Sequence, residues 1–565
     1  MSVEAVTEIG TATETHEVFN QSPVFADVDL FAANPGLRAA LAREGAGWAA
    51  EELAALGRRA GSAEVLEWGR RANENPPKLR TFDQKGRRID EVEYHPHYHA
   101  LMQLSSEYGL HARSWEHFSQ GRERWPGEAV ARAAGFYMMA QAEAGHCCPI
   151  TMTHASIPTL LLNPELAREW LPKIVARDYE PELAPLAEKR AVKFGMGMTE
   201  KQGGTDVRTN TTRAEPTGDG TFRLTGHKWF MSAPMSDAFF VLAQAPGGLS
   251  CFLVPRVLPD GSRNAIRLQR LKDKLGNRSN ASSEAEFVGA HGWLVGEEGR
   301  GVPAIIEMVT YTRLDCALGS AGLMRLGLEV AARHCAHRTV FQKKLIDQPM
   351  MTRVLAELAL DAEAAMMLAM RLAGSFDRAA EDEDEAAYRR LMTPVIKYWV
   401  CKAAPPFLYE AMECLGGNGY VEEGLLARAY REAPVNAIWE GSGNVMCLDV
   451  LRVLQRSPEA AARVAERFAK EAAGEPRLIA AVETLKQVLG APAEADGRHL
   501  TETLALVGAA CEMHQHAPSA VADAFIASRL AGASGYTFAA GPAHGDARAI
   551  LAGVVPATKG TDQTD

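Results

Sequence analysis

The chain lacks several features that would assign it to whole classes of protein. None of its apolar runs approaches the roughly 18 residues that a membrane-spanning helix needs. Its N-terminus has neither a basic start nor an apolar core segment, which argues against a secretory signal and predicts a cytoplasmic protein. Its nine cysteines are scattered without a repeating spacing, which is typical of reduced thiols rather than of a disulfide framework.

Positive charge and nucleotide-binding motifs are scarce as well. The formal net charge is −11, so a nucleic-acid partner would need a local basic patch. No strand-linked G-x-G-x-x-G and no P-loop lysine motif is present, which disfavours nicotinamide and ATP chemistry. His95, His97 and His99 alternate and would share one side of an extended segment, but a structural role is favoured and no metal site is predicted.

What the chain does contain is apolar material for two to four domains, since 47% of its 565 residues are hydrophobic. The pattern changes along the chain from helical to strand-like and back, which predicts an α+β fold that is predominantly α. We divide it into a polar N-terminal arm that could dock on a partner subunit, a helical domain, a middle β domain, a helical bundle and an appended helical region, over 1–35, 36–190, 191–300, 301–455 and 456–565.

Local patterns support these divisions. Apolar residues from Leu37 to Leu56 recur at helical intervals. Short segments rich in Thr, Phe and Val follow residue 194, and Gly-containing turns such as Gly218-Asp219-Gly220 separate them, as expected for antiparallel strands. An acidic segment at 381–385 interrupts the second helical stretch, and Pro458 begins an Ala-rich helical tail.

One segment near the end of the bundle carries a candidate base. Glu440 lies between apolar bulk, Ile438 and Trp439, and a glycine-rich stretch. Apolar neighbours raise the pKa of a carboxyl group, which suits it to take a proton from carbon. If a helix begins after Ser442, its N–H groups would favour a phosphate or a developing oxyanion beside the base. An ordinary loop glutamate is the alternative, and on local grounds alone it is slightly favoured.

Five segments, taken together and in order, resemble the motifs of acyl-CoA dehydrogenases. They are residues 198–206, 226–232, 338–341, 415–420 and the Glu440 loop, and the resemblance spans roughly residues 40 to 455. Lys201-Gln202 stands where most members carry proline and a small residue. Together with the extended N-terminus and the added C-terminal helices, this looks like the alkylation-response, AidB-like branch of the family.

The resemblance implies an acyl-CoA dehydrogenase-like fold, with FAD bound between the middle antiparallel β domain and the helical bundle. The adenine end of the cofactor would reach a neighbouring subunit in a homotetramer. The residues that it assigns to FAD are Met198, Thr199, Gly203, Gly204, Thr205, Phe230, Met231, Ser232, Arg338, Phe341, Glu413, Gly416, Gly417, Ile438, Trp439, Gly441, Ser442, Gly443 and Asn444.

These residue types suit a flavin. Thr199, Thr205 and Ser232 are short hydrogen-bond donors, while glycines let backbone approach a ligand closely. Phe230 stands where the family usually has tryptophan and would stack on one flavin face, although core packing on a strand is its alternative. Arg338 could pair with the pyrophosphate of the neighbour's cofactor, or could be a solvated helix residue. Glu413 stands where many relatives have glutamine.

For chemistry, the resemblance makes Glu440 the base that removes the α-proton of an acyl-CoA while hydride leaves the β-carbon for flavin N5. One subgroup places its glutamate just before the arginine that corresponds to Arg313. Here that position is Thr312, so Glu440 is the one matched base. The donors for the thioester oxygen would be the backbone N–H of the base residue and a cofactor hydroxyl.

Two other functions compete with this one. A DNA-associated flavoprotein of the alkylation response would bind double-stranded DNA through its C-terminal region. The candidate contacts there are Arg452, Arg456, Arg463, Arg467 and Lys470. Their spacing gives a narrow basic stripe, but i, i+4 pairs with glutamates are equally typical of a solvated helix. A flavoprotein that reacts with oxygen or a non-CoA substrate is the third reading, so both an electron-transfer protein and oxygen stand as acceptors.

Overall fold

The structure is a computed structural model that describes residues 15–490, 492–530, 535 and 537–554. Its N-terminal part is helical and contains one hairpin. The elements are α1 Pro35–Arg43, α2 Ala50–Ala60, α3 Ala63–Glu74, β1 Lys78–Phe82, β2 Arg88–Glu93, α4 Pro96–Glu107, α5 Glu116–Gln120, α6 Glu128–Ala142, α7 Cys147–Leu160 and α8 Pro164–Ile174. Asn34 caps α1 by accepting a hydrogen bond from the Leu37 N–H, which is why the arm ends at the Asn-Pro pair.

The hairpin β1–β2 differs from the sequence prediction, which is helical throughout 36–190. Its strands pair antiparallel from Lys78 with Glu93. Most of its side chains are exposed or half-buried, so it carries no apolar periodicity that would indicate strands. The first 14 residues of the predicted arm lie outside the described residues.

The middle domain is a β-sheet, as predicted. Its strands are β3 Phe194–Gly197, β4 Arg213–Pro216, β5 Phe222–Ser232, β6 Ala238–Ala245, β7 Gly248–Pro255, β8 Ile266–Leu271 and β9 Ser282–Val295. Most neighbours are antiparallel, but β3 and β4 both pair with β6 in parallel. The prediction of a middle antiparallel β domain is confirmed for most strand pairs, and the parallel pairings of β3 and β4 with β6 add to it.

The helical bundle follows the sheet. It comprises α9 Gly301–His337, the short strands β10 Thr339–Val340 and β11 Lys343–Lys344, and then α10 Pro349–Arg378, α11 Glu383–Glu413, α12 Gly417–Tyr420, α13 Leu425–Asn436 and α14 Gly443–Arg456. Helix α9 is buried around most of its circumference because it packs against α6, α7, α10, α11 and α13. It thereby ties the N-terminal helices to the bundle in one continuous core.

The appended region is helical from Pro458, as predicted. Its elements are α15 Pro458–Glu471, α16 Pro476–Gly490, α17 Gly497–His516, α18 Ser519–Arg529 and α19 Ala547–Leu551. Helices α15 and α17 pack on α10 and α11, so this region extends the bundle and shares its core. Within the described ranges, no helix is at once long enough and apolar enough to cross a membrane.

A buried ionic network fastens α17 to the bundle. Arg371 of α10 binds both carboxylate oxygens of Glu385 at the start of α11, with distances of 2.9 and 2.8 Å. Its Nε also lies 3.7 Å from a carboxylate oxygen of Glu512 of α17. Burial raises the pKa of Glu512 from its ordinary 4.5 to about 7, so the network holds one carboxyl group that is neutral at mildly acid pH.

We expect Glu512→Gln to be more stable than the wild type at high pH but not at low pH. The native protein retains a proton on Glu512 that the unfolded chain releases above about pH 4.5, so this group's stabilisation is lost as the pH rises through about 7. The difference in free energy of unfolding should grow by up to about 3 kcal/mol between about pH 5 and pH 8. Urea unfolding across that range measures it, and a difference that does not change with pH would contradict the assignment.

Candidate active site

Glu440 lies in the loop between α13 and α14, in a left-handed backbone conformation. Its φ is +58°, and Gly441 follows with φ +105°. A residue with a Cβ in this region costs of order 1 kcal/mol, and such residues persist where the surroundings hold them. The strain therefore indicates that this loop is fixed by contacts from outside it.

Three side chains from two long helices supply those contacts. Thr312 of α9 donates its hydroxyl to the Glu440 carboxylate at 2.7 Å. The next residue, Arg313, donates its Nε to the Glu440 carbonyl at 3.0 Å. From α11, Lys397 donates its ammonium to the carbonyls of Trp439 and Gly441. Three successive carbonyls of the loop are thus held by two cations, and the carboxylate is held separately by a hydroxyl.

Burial raises the pKa of the Glu440 carboxyl above its ordinary value. The hydrogen bond from Thr312 and the charges of Arg313 and Lys397 oppose that effect. The result is a half-buried carboxylate whose pKa is raised by burial and whose ionised form is supported by one hydroxyl and two cations, a combination that suits a general base. Glu440 thus differs from the ordinary loop glutamate that its local sequence also allowed.

Arg313 is itself held in place. Its Nη1 binds Asp449 of α14 at 2.8 Å, and Arg390 of α11 binds the other carboxylate oxygen of Asp449 at 3.0 Å. Burial alone would raise the pKa of Asp449, but these two guanidinium groups hold it below its usual range. Asp449 thus ties α14, the helix that follows the loop, to both α9 and α11. This fixes the position of the Arg313 side chain that binds the Glu440 carbonyl.

The strand residues of the predicted cofactor site lie across from this loop. The thiol of Cys148 in α7 lies close to both Ser232, at the end of β5, and Glu440. Burial raises the pKa of that thiol to about 12, so it is neutral. Phe230, two residues before Ser232, is 50% exposed although it is large and apolar. Cys148 therefore links one predicted strand residue, Ser232, with the candidate base Glu440.

A buried ion pair shapes the loop after β3. Glu200 binds the ammonium of Lys228 at 2.8 Å, and burial lowers the pKa of Lys228 to about 8 while the pairing opposes that shift. The other oxygen of Glu200 accepts hydrogen bonds from the backbone N–H of Thr211 and from the side chain of Gln202. These contacts turn the chain sharply after Thr199, whose carbonyl pairs with the Trp229 N–H.

Glycines are needed in this loop and at the end of α11. A Cβ on Gly204 would lie 2.5 Å from the Thr199 hydroxyl. A Cβ on Gly203, Gly416 or Gly417 would meet nothing within 4 Å, so these backbones face open space. In the loop after β3, the open backbone of Gly203 lies next in sequence to short hydroxyls, which suits a flat, phosphate-bearing cofactor, so these residues fit FAD.

The second half of the predicted cofactor set lies elsewhere. Arg338 is at the far end of α9, roughly 38 Å beyond Arg313 along the helix axis. Phe341 beside it is 90% exposed with φ +50°, and Glu413 at the end of α11 is exposed as well. Arg338 donates to the carbonyl of Asn20 at 2.7 Å, so the arm contacts this motif in its own chain.

The predicted DNA stripe is largely engaged in ion pairs. Arg463 binds Glu383 and Asp384 at 2.6 Å each, at the acidic start of α11. Arg467 binds Glu385 and Glu471 at 3.1 and 2.6 Å. Arg452 lies 3.7 Å from Asp449, while Arg456 and Lys470 are exposed and make no ion pair with the described residues. A phosphate would compete with these carboxylates, and DNA binding stays a prediction.

The three histidines do not line up as ligands. Helix α4 begins at Pro96, so His97 and His99 are helical and diverge, and His99 bonds the Tyr179 hydroxyl at 2.8 Å. Over the part of the chain that the structure describes, no group of three His, Cys, Asp or Glu side chains could hold a metal ion.

Sequence reasoning missed the residues that hold the loop. Thr312 was noticed as an altered position, but nothing in the sequence predicted its hydrogen bond to Glu440. Lys397 carries no local motif and reaches the loop across 42 residues of chain. The buried ion pair of Lys228 and Glu200 had one sequence signal, since Lys228 lies inside the predicted motif 226–232. The pairing itself is visible only in the folded structure.

Three family models match consecutive parts of the chain. The N-terminal domain of the adaptive response protein AidB matches residues 20–181, the acyl-CoA dehydrogenase middle domain matches 195–289, and the acyl-CoA dehydrogenase C-terminal domain matches 299–455. The chain is 50% identical to AidB of Escherichia coli (strain K12) over 514 residues, covering 91% of this chain and 94% of that one. It is 34% identical to acyl-CoA dehydrogenase family member 11 of Caenorhabditis elegans, covering 72% and 66%.

Solved structures with the same fold include ligand complexes. The Caenorhabditis elegans ACDH-11 complex with C11-CoA superposes with a TM-score of 0.82 at 28% identity, covering 91% of this chain and 92% of that one. An acyl-CoA dehydrogenase from Bacillus anthracis complexed with FAD gives 0.61 at 19% identity, covering 76% and 77%. The latter likeness concerns the fold.

Proposed function

Because this chain belongs to the acyl-CoA dehydrogenase family, in the branch of AidB, we propose that it is an FAD-dependent oxidoreductase that desaturates an acyl-CoA with Glu440 as its base. The observation that carries the proposal is the Glu440 carboxylate, held by Thr312 beside the residues that fit a flavin. Bound FAD would accept the hydride that leaves the β-carbon.

Glu440 would take the α-proton of the thioester. Burial raises the pKa of this carboxyl group, and a higher pKa makes the carboxylate a stronger base toward a proton on carbon. The negative charge that develops on the thioester oxygen needs donors, and the Glu440 N–H makes no hydrogen bond to any described residue. That N–H is free to bind the oxygen of a substrate.

The residues on both sides of the space would hold the cofactor. Thr199, Thr205 and Ser232 would donate hydrogen bonds, Phe230 would stack, and the glycine backbone would approach closely. Arg338 and Phe341 are too far from Glu440 for one dinucleotide to touch both sets. They would therefore serve the cofactor of a second copy, in agreement with the expected homotetramer.

A cavity beside the loop is lined by arginines that would bind the phosphate end of coenzyme A in competition with their present partners, Glu307 for Arg389 and Asp449 for Arg313 and Arg390. It encloses about 210 Å³ and is lined in part by Arg313, Arg389 and Arg390. Arg313 also holds the Glu440 carbonyl, so the cavity adjoins the base. Guanidinium groups bind phosphate oxygens in pairs, which favours an anionic carrier over a neutral ester.

Anaerobic titration tests the proposal. Acyl-CoAs of short, branched and long chain are added to the FAD-loaded protein while the absorption of the oxidised flavin is followed. We expect at least one class to bleach the flavin. If none does, although FAD is bound, acyl-CoA oxidation is not the function of this site.

Replacing Thr312 with Val should shift the acid limb of the bleaching rate to higher pH. The hydroxyl donates to the ionised carboxylate and so lowers the pKa of Glu440, and its loss raises that pKa further. The rate at saturating substrate is measured against pH. Thr503→Val is the matched control, since that hydroxyl bonds a helix carbonyl in α17. An identical profile in all three proteins would remove Thr312 from this role.

A further inference from the structure

Lys397 is a buried lysine with no carboxylate partner. Its side chain lies in α11 and is 1% exposed, and it makes no salt bridge with a described residue. Burying an ammonium group is costly, and most buried lysines are paired with an acid. Among the described residues, its side-chain ammonium donates to two carbonyls, those of Trp439, at 3.0 Å, and Gly441, immediately before and after Glu440.

The position of these two carbonyls fixes the direction of the backbone N–H groups between them. In a trans peptide the C=O of one residue and the N–H of the next point in opposite directions. When the Trp439 carbonyl points at Lys397, the Glu440 N–H therefore points away from it. That N–H is the one without a partner among the described residues.

We propose that Lys397 is a positioning residue for the base loop: by binding the carbonyls on both sides of Glu440 it holds the strained backbone that presents the Glu440 N–H to the substrate oxygen. The inference rests on the proposed function. Lys397 touches neither the substrate nor the carboxylate and acts through the peptide groups. Arg313 holds the intervening carbonyl, so the two cations secure the left-handed turn together.

Lys397 also brings positive charge near the carboxylate. The titratable groups around Glu440 are Arg313 and Cys316 of α9, Lys397 of α11 and Cys148 of α7. Burial raises the pKa of both thiols, so they remain neutral and only the two cations favour ionised Glu440. Removing Lys397 should therefore raise the pKa of the base as well as loosen its backbone.

The test compares Lys397→Met with Lys397→Arg and with a matched control. Methionine keeps an apolar chain of similar length but donates nothing, whereas arginine keeps the charge and donors. Lys173 of α8 is the control, because it also binds backbone carbonyls, those of Leu186 and Lys189, far from the Glu440 loop. All proteins are loaded with FAD and reacted anaerobically with the acyl-CoA that bleaches the wild type.

We expect K397M to bleach about 10- to 100-fold more slowly at saturation, with little change in the substrate concentration needed, because an oxyanion donor acts mainly in the transition state. In K397M the low-pH fall of the bleaching rate should occur at higher pH than in the wild type. K397R should recover part of the rate. K173M should lose stability without either change. A wild-type rate and pH profile in K397M, or effects equal to those of K173M, would overturn the proposal.

A crystal structure of K397M separates this inference from the proposed function. If no acyl-CoA bleaches the wild type, the function fails, but the loop geometry can still be examined. We expect the Trp439–Glu440 peptide to rotate and Glu440 to leave the left-handed region. An unchanged loop in K397M would show that Lys397 does not position it, whatever the enzyme's substrate.

Discussion

Glu440→Gln will lower the rate of flavin bleaching by acyl-CoA by about 10²- to 10⁴-fold, while FAD stays bound. Glutamine keeps the size of the side chain and can still accept the hydrogen bond from Thr312, so the loop should hold its shape. What is lost is the carboxylate that takes the α-proton. Stopped-flow absorbance of the anaerobic reaction measures the rate, and the flavin-to-protein ratio measures cofactor retention.

Glu512→Gln is the matched control for this variant. Both glutamates have a raised pKa, but Glu440 is half-buried in the base loop, whereas Glu512 is buried in the ionic network of α17. It should bleach at the wild-type rate. If E440Q retains that rate too, Glu440 is not the base. If E440Q loses its FAD, the prediction that the cofactor stays bound is wrong. The loss of bleaching then reports on cofactor binding and not on proton transfer.

Arg371→Met will lower the free energy of unfolding by about 3–5 kcal/mol. Arg371 is 2% exposed and binds Glu385 through its two terminal nitrogens, Nη1 and Nη2. Its guanidinium carbon lies 4.2 Å from the centre of the Tyr388 ring. Its removal leaves the carboxylate of Glu385 buried without its main partner. The appended helices depend on this network, so they should also become sensitive to proteolysis.

Arg463→Met provides the contrast. Arg463 makes two short ion pairs, yet it and its partners Glu383 and Asp384 are exposed, so the change should cost far less stability than Arg371→Met does. Urea unfolding of both variants at neutral pH measures the two effects. Equal destabilisation would mean that burial does not set the strength of these ion pairs, and that the appended region is held by its apolar contacts.

The contacts of Arg313 and Lys397 explain how Glu440 can keep a strained backbone conformation. An isolated loop would relax a residue with φ +58° to an ordinary conformation. Arg313 and Lys397 bind the carbonyls that such a relaxation would have to rotate. The same contacts leave the Glu440 N–H unpaired, so the strain and the unpaired donor have one physical cause.

The sequence predicts the alternation of helical and strand-like stretches that the structure has, and it singles out Glu440 as a candidate base, a role that stays a prediction. Apolar periodicity distinguishes helical from strand-like stretches, and the acidic segment at 381–385 spans the end of the α10–α11 connection and the first turn of α11. Glu440 stood out because its own neighbours, Ile438 and Trp439, are apolar. The family resemblance then supplied the flavin residues, whose individual roles stay predictions.

The contacts that shape the site could not be predicted in the same way. Thr312 and Lys397 lie 128 and 42 residues from the positions that they bind, and no periodicity connects such pairs. The β1–β2 hairpin was missed because its exposed strands lack an apolar face. The parallel pairing of β3 with β6 depends on where a distant hairpin places its edge.

Hydrogen exchange at the α-carbon tests the central claim most directly. A 3-thia-acyl-CoA has α-protons but sulfur at the β position, so no hydride can leave and proton abstraction is observed alone. The FAD-loaded protein is incubated with this thioester in D₂O, and deuterium at the α-carbon is measured by mass spectrometry. We predict that the wild type exchanges the α-proton and that E440Q does not. Equal exchange in both proteins, or none in the wild type, would contradict the assignment of Glu440 as the base.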